Sequence, residues 1–263
     1  VEFNSFAFLL YFLGVLIAYQ VTPNRWKSGL LLMASLAFYG HWKPLFLVVL
    51  LAVATTAYFA GVAMDRSPSQ RGRFMTAAVI AILLILGVFK YASFLSNSFL
   101  FLAGDTLSDE AVHRLDALLP IGISFYSFQA LSYIVDVDQG KVKVEHNPTT
   151  LGLYLAFFPQ ILAGPIERPA SLMPQLKGLH ALRASHVLPG LKRMLWGFAC
   201  KLLVADQLAT LVDGVFADLT GHGGITILLA TYLFGFQIYF DFLGYTHIAM
   251  GAAPSVGHLA VAE

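Results

Sequence analysis

Charge is what this sequence has least of. Only 12% of its 263 residues are Asp, Glu, Lys or Arg, against about 25% in an ordinary soluble domain, and a water-facing surface cannot be assembled from that supply. Sixteen basic and fifteen acidic residues leave a net charge of +1, which creates no field to attract nucleic acid or a strongly acidic partner. Cysteine is as scarce: Cys200 stands alone, so a disulfide framework and a multi-cysteine metal site are excluded. No histidine spacing matches a zinc site, and no serine sits in a nucleophile elbow. The GHGG run at Gly221 to Gly224 follows no strand, so it reads as a loop and not as a phosphate cradle.

Hydrophobic residues, at 58%, are what is there. That content excludes disorder and points to a polytopic membrane protein: an all-α transmembrane bundle of about 6–8 spans. A span needs about 20 mostly apolar residues. Phe3 to Val21 qualifies, and Glu2 before it, in place of a basic stretch, favours a retained helix over a cleaved leader. Gly29 to Gly40 and Pro44 to Met64 read as a tight helical hairpin around His41, Trp42 and Lys43. Phe74 to Tyr91 follows, with Lys90 between two aromatics as an interfacial anchor. Leu118 to Val135 and Gly224 to Tyr239 are further spans. One membrane domain covers 1–251, and the tail 252–263 departs from its pattern.

Charge asymmetry orients these spans. Arg25 and Lys27 in 22–28, and Arg66, Arg71 and Arg73 in 65–73, predict cytoplasmic links, whereas 104–117 sums to −3 and is expected outside. The N-terminus is then periplasmic, and Lys141 and Lys143 face the cytoplasm. Thr149 to Gly164 is a sixteen-residue apolar block interrupted by Pro159, with basic flanks on both sides. It cannot cross once, so it is either a re-entrant segment, tolerated at membrane depth only inside protein or along a cavity, or a bent surface helix. From Pro189 to Leu203, Lys192, Arg193 and Lys201 punctuate apolar residues, which predicts a basic interfacial helix.

Four blocks set polar groups among apolar ones: PIGISFYSFQALSYIVDV from Pro120, FPQILAGPIERP from Phe158, LKRMLWGFACKLLVAD from Leu191 and FQIYFDFLGYTHIAMG from Phe236. In lipid such groups need partners, so helix packing accounts for many of them. Together and in this order, with FNSFAFLLYFL near the start, FYGHWKP at Phe38 to Pro44 and FKY at Phe89 to Tyr91, they resemble the membrane-bound O-acyltransferase family, in its alginate O-acetyltransferase branch.

The resemblance implies an enzyme of the bacterial inner membrane that moves acyl groups onto an exported polysaccharide such as alginate. It implies an acyl donor such as acetyl-CoA or an acylated carrier, no bound cofactor, no metal and no nucleic acid. The lipid bilayer, other polysaccharide-acetylation proteins and the polysaccharide acceptor are the implied partners. It also implies a general-base histidine, since a sugar hydroxyl is a poor nucleophile at neutral pH. That histidine is expected downstream of the FDFxGY block, beyond Glu263, so no catalytic residue is assigned and the chain alone is expected to be inactive. Leu243 and His247 depart from the branch's usual residues. His247 stands six residues after Asp241, on a different helix face, so the two are not expected to pair. Asp136, Gln160, Glu167, Arg168 and Asp241 are the candidates for cavity or cytoplasmic-mouth positions, and each also reads as satisfying a helix end or a neighbouring charge. A non-catalytic scaffold of an exopolysaccharide complex and a membrane transporter are the alternatives.

Overall fold

The computed structural model describes residues 6–41, 43–102, 119–161, 167–177 and 184–255. Among them there is no strand, as the near-absence of surface-forming charge leads one to expect: a helix satisfies its own backbone and a sheet edge does not. The helices are α1 (Phe6–Val21), α2 (Asn24–Gly40), α3 (Pro44–Arg66), α4 (Arg71–Leu102), α5 (Ile123–Asp138), α6 (Pro148–Ala156), α7 (Pro169–Lys177), α8 (Ala184–Ala199), α9 (Asp206–Ala217) and α10 (Gly224–Ser255). A π-helical turn, Cys200–Ala205, joins α8 to α9. Two compact units result, one from the described residues up to Leu30 and from 184 onward, the other from those between Leu31 and Lys177.

Four helical stretches among the described residues are long and apolar enough to cross a membrane: Pro44–Arg66, Pro68–Tyr91, Val187–Ala217 and Gly224–Ala252. Ala7–Val21 is a shorter apolar helix. Their exposed faces carry Leu84, Val88, Leu229 and Phe236, an apolar surface that only lipid or another apolar partner would cover.

Several expected boundaries move. The span predicted from Leu118 begins, as a helix, only at Ile123, because Gly122 takes a left-handed φ of 75° and turns the chain into it. Its sixteen residues rise about 24 Å, short of a hydrocarbon core of about 30 Å. Tyr39 fixes this turn by donating its hydroxyl to the Ile121 carbonyl at 2.7 Å. Lys27, expected as a loop charge, lies inside α2, buried, with its ammonium 4.5 Å from the Tyr19 ring centre. The helix predicted to be interfacial is part of a continuous run, Val187–Ala217, long enough to cross. α10 passes through Asp241 without ending there. The acidic stretch 104–117, and the tail from 256 on, lie outside the described residues.

Within the Leu31–Lys177 unit α3 packs on α4, α5 and α6. Gly61 admits the Tyr133 ring, whose hydroxyl lies 2.8 Å from where a Cβ would stand. In the other unit α8 and α10 meet backbone to backbone. A Cβ on Gly197 would sit 2.6 Å from the Gly244 carbonyl and 2.8 Å from the Ile248 nitrogen, and a Cβ on Gly251 would strike the Gly190 carbonyl. Small residues at such a crossing let van der Waals contact replace the missing hydrophobic drive between membrane helices.

Gly197→Ala is therefore expected to destabilise this helix pair by about 1–3 kcal/mol, seen as a lower aggregation temperature of the detergent-solubilised chain. Gly214→Ala, where a Cβ would meet nothing within 4 Å, should leave that temperature unchanged.

Candidate functional site

The broken segment after α5 concentrates the buried polarity of its unit. Asn147 starts α6 by accepting the Thr149 amide on Oδ1 at 2.9 Å, with Pro148 at the first helical position. The helix stops after nine residues at Phe157, whose ψ of 109° leaves the helical region two residues before Pro159. The amides freed by the break are satisfied locally and by a neighbouring helix. Gln160 and Ile161 donate theirs to the Phe157 carbonyl at 2.9 and 3.0 Å, and Phe158 donates its own to Ser35 Oγ of α2 at 3.1 Å.

Leu153, Tyr154, Leu155, Ala156, Phe157, Phe158, Gln160 and Ile161 are all buried. The segment is thus enclosed by protein, the condition under which irregular backbone is tolerated at membrane depth. Residues 162–164 of the predicted block lie outside the described ones.

Tyr154 ties the segment to Glu167 among the predicted site residues. Its hydroxyl donates to the Glu167 carbonyl at 3.0 Å and lies 3.5 Å from that of Gln129. Asp136 is half-buried near the end of α5, and its carbonyl accepts the Lys141 and Val142 amides. Gln160 is only 4% exposed, and neither its Oε1 nor its Nε2 has a hydrogen-bond partner among the described residues. Glu167 is buried, whereas the next residue, Arg168, is exposed and starts α7 with its carbonyl accepting the Ser171 and Leu172 amides.

Asp241, the fifth candidate, belongs to the other unit, where a cation holds it. The Lys201 ammonium lies 2.5 Å from the Asp241 carboxylate and 2.8 Å from that of Asp206, and 5.4 Å from the Tyr245 ring centre. Lys201 and Asp206 are five residues apart, which on a regular α-helix sets them about 140° from each other. The π-helical turn between them, with its i to i+5 pattern, brings them onto one face. His247 does not pair with Asp241: its Nδ1 accepts from Arg193 Nε at 3.3 Å. Reading the sequence missed Tyr154, Ser35, Lys201 and Asp206 as site-forming residues. The five-residue spacing of Lys201 and Asp206 within an apolar run was the available signal for two of them. The Ser35 contact spans 123 residues of chain, and no local pattern announces it.

No protein-family model matches the chain. It is similar to the "Probable alginate O-acetylase AlgI" of Azotobacter vinelandii, 34% identical over 97% of this chain and 51% of that protein. The protein of the same name from Pseudomonas aeruginosa is 33% identical over 97% of this chain and 49% of its own length. The "Peptidoglycan O-acetyltransferase" of Helicobacter pylori is 30% identical over 94% of this chain and 51% of that protein. The chain thus spans about half the length of the curated relatives it matches.

Replacing Lys201 by Met takes the cation from the Asp241 and Asp206 carboxylates, both partly exposed, a change expected to cost about 1 kcal/mol. Thermal unfolding of the solubilised chain should show that loss. Restoring neutrality with K201M/D206N/D241N should recover most of it.

Proposed function

Because the chain belongs to the membrane-bound O-acyltransferase family, we propose that it takes part in O-acetylation of an exported polysaccharide such as alginate. The observation that carries this reading is similarity along 97% of the chain to proteins named as O-acetylases. In this reading the chain lies in a bacterial inner membrane with its N-terminus on the periplasmic side. Acetyl-CoA or an acylated carrier approaches from the cytoplasm, and other polysaccharide-acetylation proteins assemble with it.

Acyl transfer to a sugar hydroxyl needs a group to take the hydroxyl proton and donors to hold the reacting carbonyl. The reading gives these 263 residues the holding. The Gln160 side chain, with both polar atoms buried and unpartnered among the described residues, suits a ligand amide or carbonyl. Tyr154 holds the Glu167 carbonyl, and the exposed Arg168 suits the cytoplasmic mouth. Asp241, tied to Lys201, positions the second unit's long helix. Proton transfer is not assigned to them. His247 uses its Nδ1 on Arg193, and His146 pairs through Nε2 with Asp65 at 3.2 Å at an exposed position.

Exchanging the matched segment of the Azotobacter relative for these residues, in cells lacking that relative, tests the reading. Acetate on the secreted alginate should be retained, and Gln160→Leu or Glu167→Gln in the chimera should cut it about tenfold or more, the loss of one or two buried hydrogen bonds. A chimera that reaches the membrane intact but leaves the polymer unacetylated would overturn it.

A further inference from the structure

Outside the segment just described, the link between α5 and α6 and the face of α7 enclose a cavity of about 330 Å³. Its lining mixes an apolar floor, including Val142 and Met173, with the side chains of Lys141, Lys143, Glu145 and Lys177. Three ammonium groups against one carboxylate leave a positive excess inside a chain with almost no net charge. Lys177 is committed to Glu145 at 2.5 Å. Lys141 and Lys143 form no ion pair among the described residues, and both are exposed.

The link that presents these two lysines is built rigidly. Gly140, at φ +71°, turns the chain back so that the Lys141 and Val142 amides both bond to the Asp136 carbonyl. Farther on, Glu145 donates its amide to the Tyr133 hydroxyl at 3.0 Å, and its Oε1 accepts the Asn147 amide at 3.0 Å. The carboxylate is thereby fixed against Lys177. At the same end of the unit Arg71 reaches the Val137 carbonyl and lies 3.7 Å from Asp138, so the basic links gather there. A held frame that leaves two cations unpaired over an apolar floor lowers the ordering cost of binding an anion attached to carbon chain.

We propose that this cavity binds a phosphate ester, with Lys141 and Lys143 on the phosphate oxygens and the apolar floor under the carbon moiety. Ammonium is a point-charge ligand for phosphate, and basic pockets among membrane helices on the cytoplasmic side take anionic head groups. The same chemistry is offered by an anionic phospholipid and by the phosphate groups of a soluble thioester donor. The inference does not require acyl transfer by this chain.

The full chain in phosphatidylcholine nanodiscs, titrated with coenzyme A, and in nanodiscs containing phosphatidylglycerol, examined by native mass spectrometry, separates the two sources. Saturable binding in one arm is expected, weakened about tenfold or more in K141Q/K143Q as two charge-assisted contacts are lost, and weakened by added salt. K192Q, the loss of an exposed lysine elsewhere, should leave binding unchanged, and the double variant should melt as the wild type does. Coenzyme A binding assigns the soluble ester and phosphatidylglycerol retention assigns the lipid. Binding in neither arm, or binding equal in the double variant, overturns the proposal.

Discussion

A hydrocarbon layer offers no hydrogen-bond partner, so each polar group carried to its depth must be satisfied inside the protein or cost several kcal/mol. That constraint organises both units. Where α6 breaks at Phe157, the backbone released from the helix is taken up by the Phe157 carbonyl and by Ser35 Oγ. Three buried Tyr hydroxyls find a main-chain group, Tyr39 on Ile121, Tyr133 on Glu145 and Tyr154 on Glu167. Where a cation enters the apolar helix Val187–Ala217, a π-helical turn and α10 bring it two carboxylates. Gln160, with neither polar atom partnered among the described residues, departs from this rule, as do the Tyr126 hydroxyl and Ser127 Oγ.

The helical architecture was legible because composition alone dictates it: with 12% charge and 58% hydrophobic residues, only self-satisfied backbone can be surrounded by lipid. The hairpin of α2 and α3 was legible from the short loop and from Pro44. The break near Pro159 was legible for the same reason, since proline acts through its immediate neighbour. What sequence could not supply was the other half of each polar contact. Lys27 read as a loop charge because nothing local shows it meeting Tyr19, and Lys201 read as an interfacial cation because its partner Asp241 stands forty residues on. Gly122 hid the true start of α5, as an apolar run does not reveal a left-handed turn within it. Among the candidate residues, Gln160, Glu167 and Asp136 fall around one buried segment, whereas Asp241 serves a separate ion cluster.

Function and stability draw on the same groups here. A segment that must be enclosed by protein to exist at membrane depth is also a segment whose side chains are screened from water, and there hydrogen bonds to a reacting carbonyl count for most. The relatives' names place such chemistry at O-acyl groups of surface polymers. The chain holds an enclosed polar segment in one unit and, in the other, a closely crossed helix pair with Lys201 between Asp206 and Asp241.

Backbone hydrogen exchange of the chain in lipid nanodiscs tests most directly whether the broken segment is enclosed. The amides of Phe158, Gln160 and Ile161 should be protected to the same degree as those inside α6, despite lying outside any helix. Exchange there as fast as at the exposed His222 and Gly223 would contradict the account.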